Sequence, residues 1–189
     1  MPGSTPAALP GGVAIRRCLT PDLAADDIAG LLELFRACWP AGEFTADDVA
    51  HAMGGVHWVA EVGGRIVGHA SVVPRILEAD GRPLATGYVE AVATLPAWQR
   101  RGIARHLMTL AGDYIAGSLE LGSLSTGKPA VYAGLGWVRW RGTTWVRTAG
   151  GLVRTAEEDD GVMILRTPRT PPLALTGSLS CDWRPGDCW

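Results

Sequence analysis

The sequence predicts one α/β domain with a mostly antiparallel sheet. Three observations carry this. The 189 residues are 47% hydrophobic and 19% charged, the size and balance of a single globular core. The apolar spacing switches repeatedly between a strand period and a helix period. No internal repeat and no linker interrupts that succession.

Residues 1–11 hold three prolines and two glycines and read as a flexible tail, with the folded domain over 12–189. Val13 to Leu19 reads as a strand. Thr20-Pro21-Asp22 starts a helix in which Ile28, Leu31, Leu32 and Phe35 recur at helical spacing. Pro40 to Glu43 ends it, and Thr45 caps a second short helix with Asp47 and Asp48 in its first turn. Val56 to Val62 is a strand, Gly63-Gly64 a hairpin turn, and Ile66 to Leu77 a long strand. Asp80-Gly81 turns into a third long strand, Leu84 to Leu95. The period then changes: Ile103, Leu107, Leu110, Ala111 and Tyr114 mark an amphipathic helix opening near Arg101. Leu119 to Ser125 is a strand, Pro129 to Leu135 one or two helical turns, and Trp137 to Arg147 a strand. Glu157 to Asp160 is an acidic turn and Val162 to Arg166 a last strand. From Pro168 the chain is read as an extended tail ending in CDWRPGDCW.

The net charge is −2, which argues against general nucleic-acid binding. No apolar run reaches the ~18 residues of a membrane span. No cationic stretch precedes an apolar core at the N-terminus, so no signal peptide is expected and the expected compartment is the cytoplasm. Cys18, Cys38, Cys181 and Cys188 form no C-x-x-C, so reduced thiols and no metal site are expected. His51, His57, His69 and His106 form no metal-like cluster and are read as structural or surface residues.

The chemistry concentrates in YVEAVATLPAWQRRGIA, Tyr88 to Ala104. A strand ends at Thr94, and a helix opens after Gln99-Arg100-Arg101-Gly102-Ile103-Ala104. Such a turn exposes backbone N–H groups at the positive end of a helix, which suits a pyrophosphate. Gly102 lets the backbone approach the phosphates without a Cβ in the way. The bland alternative is an arginine-rich loop capping a surface helix. Walker A and Rossmann spacings are both absent, and no nucleophile elbow supports Ser/His/Asp hydrolysis.

The loop in this element order resembles the acetyl-CoA motif of the GNAT acetyltransferase superfamily. Within it, GYVEAVAT, LGSLST, YAGLGW, the EEDDG turn and the terminal CDWRPGDCW resemble the aminoglycoside 2′-N-acetyltransferases, continuously from about Glu43 to Trp189. The resemblance implies the GNAT fold, a mixed sheet splayed at an acetyl-CoA cleft. It implies acetylation of an aminoglycoside 2′-amine with acetyl-CoA as co-substrate and no metal, and so antibiotic resistance. A homodimer is one assembly the family uses; no stretch of this sequence specifies it.

Carried over residue by residue, the resemblance makes Glu90 a general base, acting directly or through water, and Tyr132 the acid that protonates the CoA thiolate. Val92, Ala93 and Thr94, with the Gln99 to Ala104 turn, would hold acetyl-CoA. Glu43, Asp48, Ala91, Ser125, Asp159, Asp187 and Trp189 would contact the drug, with a turn at Pro185-Gly186 folding the chain end back to the substrate cleft and Trp189 acting through its terminal carboxylate and indole. Each also has a plainer reading: an outward strand position for Glu90, a packed aromatic for Tyr132, helix-dipole partners for Asp47 and Asp48, a strand end for Ser125, a frayed tail for Trp189, and solvated surface positions for the remaining acids. Ala91 stands where the family carries glycine beside the base, the Ser125 to Tyr132 segment is about two residues short by the family pattern, and Lys128 places a cation near the cleft. These departures point to a smaller drug with fewer amines, such as kasugamycin. Two other readings stay open: an acetyltransferase of the same fold acting on a peptide or polyamine, and an acyl-CoA-binding module without turnover.

Overall fold

The computed structural model describes residue 9 and residues 11–189, so most of the tail expected over 1–11 lies outside the described residues. Strand β1 (Ala14–Leu19) leads through a 3-10 turn (Thr20–Asp22) into helix α1 (Ala25–Cys38). Pro21 and Asp22 close that turn, so the α-helix begins later than the Thr20 start expected from sequence. Helix α2 (Ala46–Ala52) opens on a capping box. The Asp48 carboxylate accepts the Thr45 N–H at 2.6 Å, and the Thr45 hydroxyl accepts the Asp48 N–H at 3.3 Å.

Strands β2 (Val56–Val62), β3 (Arg65–Ala79) and β4 (Arg82–Thr94) form an antiparallel meander. Helix α3 (Ile103–Ser118) buries Ile103, Leu107, Met108, Ala111 and Ile115 against it, the face set by the three-and-four spacing. There follow β5 (Leu121–Ser125), α4 (Pro129–Ala133), β6 (Val138–Arg139), β7 (Thr143–Thr148), β8 (Gly151–Arg154), β9 (Val162–Arg166) and β10 (Ser178–Asp182). The sheet runs β6-β9-β5-β4-β3-β10-β7-β8, with β2 and β1 branching from the first half of β3. This mixed α/β architecture is the fold class the sequence predicts.

Two expectations give way. The single strand expected over Trp137 to Arg147 is split: β6 pairs with β9, and β7 pairs with β10. Around Gly142 the chain passes so close to Gly177 that a Cβ at 142 would lie 1.7 Å from the Gly177 carbonyl oxygen. The C-terminal segment is also not simply extended. Its residues 178–182 insert as β10, antiparallel to the end of β3 and parallel to β7.

Two apolar clusters result. The larger packs α1 and α3 on β2, β3 and β4 around Phe35, Trp58, Leu107 and Trp137. The smaller joins β7, β9 and β10 to the chain end around Tyr88, Trp140, Leu179 and Trp189.

Candidate active site

Strands β4 and β5 part where the site forms. Their parallel pairing covers Thr86↔Leu121, Gly87↔Gly122 and Tyr88↔Ser123 and then stops. Beyond it β4 carries a bulge. His69 faces Ala93 and Ser71 faces Glu90, so Ala91 and Val92 stand opposite Ala70 alone. The bulged residue is Ala91, whose φ of +49° lies in the left-handed region. Leu95 N–H donates to Val67 on β3 at 2.9 Å. Strand alternation therefore turns the main-chain groups of Val92 and Thr94 to the other edge, toward the gap left by β5.

At the end of β4 the loop to α3 forms an open cradle. Arg100 (φ +61°) and Gly102 (φ +83°) are both left-handed, a geometry that gathers successive N–H groups. The first helical bond runs from His106 to Gly102 at 3.0 Å. The N–H groups of Ile103 to Arg105 thus face outward without helical acceptors. A Cβ on Gly102 would meet nothing within 4 Å, so the turn has room for phosphate oxygens. Gln99 serves differently from expectation: its side-chain amide donates to the Thr94 carbonyl at 3.1 Å and pins the loop. Ile103 offers main chain only, since its side chain is core, whereas Ala93 has its side chain in the core and its main chain turned to β3, so the cofactor contact expected of it does not form. Arg101 lies over the Trp98 ring at 4.7 Å.

The gap between β4 and β5 opens into a cavity of about 400 Å³. Glu90, Ala91, Val92, Ser125 and Tyr132 line it, with Trp39, Lys128 and Trp189. Burial pushes the Tyr132 phenol up, partly offset by a hydrogen bond with Thr126, so the hydroxyl keeps its proton. The Glu90 carboxyl is pushed up by burial and pulled back by Arg184, whose Nη1 donates to Oε1 at 2.6 Å. Both side chains are about one-seventh exposed or less, at 14% and 13%.

Arg184 belongs to the chain end, which folds back over the site. Gly186 (φ +71°) turns against Asp47 of α2. Arg75 reaches across from β3, donating to the Cys188 carbonyl at 2.7 Å and to Asp182 at 3.1 and 2.9 Å. Trp189 is 4% exposed in the smaller cluster, and its indole N–H donates to Thr155 at 3.0 Å. The indole is thus a packed core ring; the expectation that it lies open against a sugar does not hold.

Not every expected acid reaches the cavity. Asp48 is held in its capping box, and Glu43 is exposed at the turn before α2. Asp159 is committed to structure. It accepts from the Thr144 N–H and hydroxyl at 2.9 and 2.8 Å and pairs with Arg154, which holds its carboxyl below the usual range. Its neighbour Glu158 points the other way and accepts from Ser125 at 2.9 Å. Burial pushes the Glu158 carboxyl up, and Asp187 raises it further. The same Asp187 charge acts on Glu90. Of these acids Glu90 lines the cavity itself, Glu158 stands behind the lining Ser125, and Asp187 accepts the N–H of the lining Trp189 at 3.0 Å, so the three form an acidic wall along one side. Glu158 and Arg184 were missed from sequence. Arg184 is the one basic residue in the terminal motif, a signal that was there to read.

A parted β4–β5 pair, a bulge beside a buried glutamate and a glycine-capped helix define an acetyltransferase of the GNAT class. Residues 53–139 match the acetyltransferase (GNAT) domain family. A GNAT family N-acetyltransferase, YhbS, from Escherichia coli in complex with CoA superposes with a TM-score of 0.62 at 19% identity, over 95% of this chain and 93% of that one. Eis1 from Mycobacterium abscessus superposes with a TM-score of 0.56 at 22% identity over 70% of this chain, which spans only 33% of Eis1. An aminoglycoside 2′-N-acetyltransferase from Mycolicibacterium fortuitum is 38% identical over 152 residues, 78% of each protein. The chain belongs to the aminoglycoside 2′-N-acetyltransferase family. Among the described residues no group of side chains could hold a metal, and no helix is long and apolar enough to cross a membrane.

Proposed function

We propose that this protein transfers the acetyl group of acetyl-CoA to the 2′-amine of an aminoglycoside. The observation that carries this is the acidic wall beside the opening between β4 and β5: Glu90 in the cavity lining, Glu158 bonded to the lining Ser125, and Asp187 bonded to the lining Trp189. An ammonium sugar is attracted to that wall, and the pantetheine arm can pair with the unpaired edge of β4.

The residues then take these roles. Glu90 draws a proton from the bound ammonium, directly or through water. The freed amine attacks the thioester carbon. Val92 offers its N–H to the carbonyl oxygen as negative charge develops there. The C–S bond breaks, Tyr132 gives its proton to the departing thiolate, and the acetylated nitrogen gives up its extra proton, which restores the phenol. The Gln99 to Ala104 turn holds the pyrophosphate, and Thr94 lends its main-chain N–H. Ser125, Asp187 and the chain end at Trp189 complete the sugar side. The product amide is neutral, so the drug loses a charge-assisted contact with its RNA target. The reaction belongs in the cytoplasm, where acetyl-CoA is at hand; the four cysteines are free thiols.

Lys128 in the cavity lining favours a drug with few amines, and the Ala91 methyl narrows the space beside Glu90. Kasugamycin fits that description. The test is release of CoA thiol from acetyl-CoA against a panel of aminoglycosides, peptides and polyamines, with the product located by NMR. Acetylation at the 2′-nitrogen is expected. Turnover confined to peptides or polyamines, or none at all, would sink the proposal.

A further inference from the structure

Two histidines that the scheme above leaves unused form a buried hydrogen-bonded chain ending on the bulge. His57 on β2 and His69 on β3 are both 0% exposed, so neither is the surface residue that sequence allowed. His69 Nδ1 stands 2.8 Å from the Ala91 carbonyl oxygen, His69 Nε2 stands 2.9 Å from His57 Nδ1, and His57 Nε2 stands 2.8 Å from the Thr20 hydroxyl.

The partners assign every proton. A carbonyl only accepts, so His69 Nδ1 carries hydrogen. Burial brings the His69 pKa down to about 3, so this ring is neutral and its Nε2 accepts. The proton between the rings therefore sits on His57 Nδ1. Burial also lowers His57, so its Nε2 accepts from the Thr20 hydroxyl. Thr20 in turn receives the N–H groups of Gly54 and Gly55 at 2.8 and 3.2 Å. All donors along the chain point toward Ala91.

Ala91 is where such an anchor matters. Its left-handed backbone costs an alanine roughly 1–2 kcal/mol, so the bulge persists only if its surroundings hold it. A trans peptide is planar, with its C=O and N–H opposed. Holding the Ala91 oxygen toward His69 therefore turns the Val92 N–H the opposite way, into the gap beside β5. The preceding carbonyl, of Glu90, accepts from the Ser71 hydroxyl at 3.3 Å, so both peptides flanking the bulge are tied to β3. We infer that His69, backed by His57 and Thr20, is a positioning residue for acetyl transfer: through the Ala91 carbonyl it aims the Val92 N–H at the thioester oxygen. This rests on the acetyl-transfer reading above.

The first test needs no acceptor. NMR of the wild-type protein carrying ¹⁵N-histidine reads the ring protons at neutral pH. Both rings are expected neutral, with hydrogen on Nδ1 and none on Nε2. Hydrogen on His69 Nε2 overturns the inference, whatever the substrate proves to be.

The second test is kinetic and uses an acceptor that the wild-type enzyme acetylates. His69→Leu removes the donor to Ala91. Its kcat should fall by about 10²-fold, the lower end for losing one oxyanion donor, while KM for acetyl-CoA stays within about threefold. His69→Asn places an amide N–H near the lost Nδ1 and should recover most of kcat. If both variants lose kcat equally and in step with their melting temperatures, His69 is only packing and the inference fails. If His69→Leu does not fold, His69→Asn and the ring protons decide. A wild-type enzyme that acetylates no aminoglycoside refutes the substrate reading alone, because the NMR result stands apart from it.

Discussion

Glu90 is held between two opposed influences. Burial favours its neutral form, and the Arg184 guanidinium at 2.6 Å favours the carboxylate. A base must be ionised to accept a proton, so Arg184 keeps Glu90 competent. Removing it by Arg184→Met should raise the Glu90 pKa, because the protonated form then loses its competitor. The acid limb of the kcat/KM profile should move to higher pH by roughly one unit. An unmoved limb in a folded variant would separate Glu90 from the titration that limits activity. Glu90→Gln keeps the shape and removes the base. Its kcat should drop by about 10²–10⁴ at neutral pH, with the deficit shrinking at high pH as the substrate amine loses its own proton. Wild-type kcat at neutral pH would make Glu90 a structural anchor for Arg184 alone.

At the scale of elements, two segments carry separable loads. The turn into α3 is open: a Cβ at Gly102 would meet nothing within 4 Å. Aspartate tolerates left-handed backbone and caps helices well. Gly102→Asp should therefore fold at a cost of about 1 kcal/mol for the left-handed backbone, while placing an anion where the cradle would bind phosphate. KM for acetyl-CoA should rise by about tenfold or more, since the dipole and N–H groups are then satisfied internally, and KM for the drug should stay nearly constant. An unchanged KM for acetyl-CoA would remove this loop from the site. The chain end behaves differently, because Trp189 is core and Arg75 is bonded to the Cys188 carbonyl. Deleting Cys188 and Trp189 should cost about 3–5 kcal/mol, the usual loss for a buried tryptophan, and lower Tm by about 10 °C. Activity should be lost along with it. A truncated protein with unaltered Tm would show that the end is merely laid on the surface.

Across the whole molecule, the site lies where one sheet stops being continuous. Thr86 to Tyr88 of β4 have strand partners on both sides, whereas from Val89 onward β5 has departed. Amides at Val92 and Thr94 should therefore exchange hydrogen quickly in the free protein and slow on addition of acetyl-CoA. The β2–β3 ladder, already paired, should not change. Equal exchange at Val92 with and without acetyl-CoA would contradict the pairing of the pantetheine arm with this edge.

Much of this was legible in the residues themselves. Strands β2 and β9 fall where the alternation placed them, and α3 follows its apolar spacing. Those are local patterns, set by the period of the backbone. The EEDD run marked an acidic corner, but its two central residues diverge. The 3-10 turn Ala156–Glu158 sends Glu158 to Ser125 and Asp159 to Thr144. Which of two adjacent carboxylates faces a cavity depends on a turn closed by partners far along the chain. β10 was missed for the same reason: SLSCD is a short strand whose two neighbours, β3 and β7, lie distant in sequence.

What the sequence by itself determined is the order of elements, the glycine-capped turn into α3, the glutamate in β4 and the terminal motif. These depend on backbone period, on the conformations glycine permits, and on chemistry carried by single side chains. Only the tertiary structure decided that Arg184 meets Glu90, that Trp189 packs as core, and that His57 and His69 point their protons at the bulge. Each of those contacts joins residues from separate strands or from opposite ends of the chain. Their geometry exists only once burial has removed water as the competing partner.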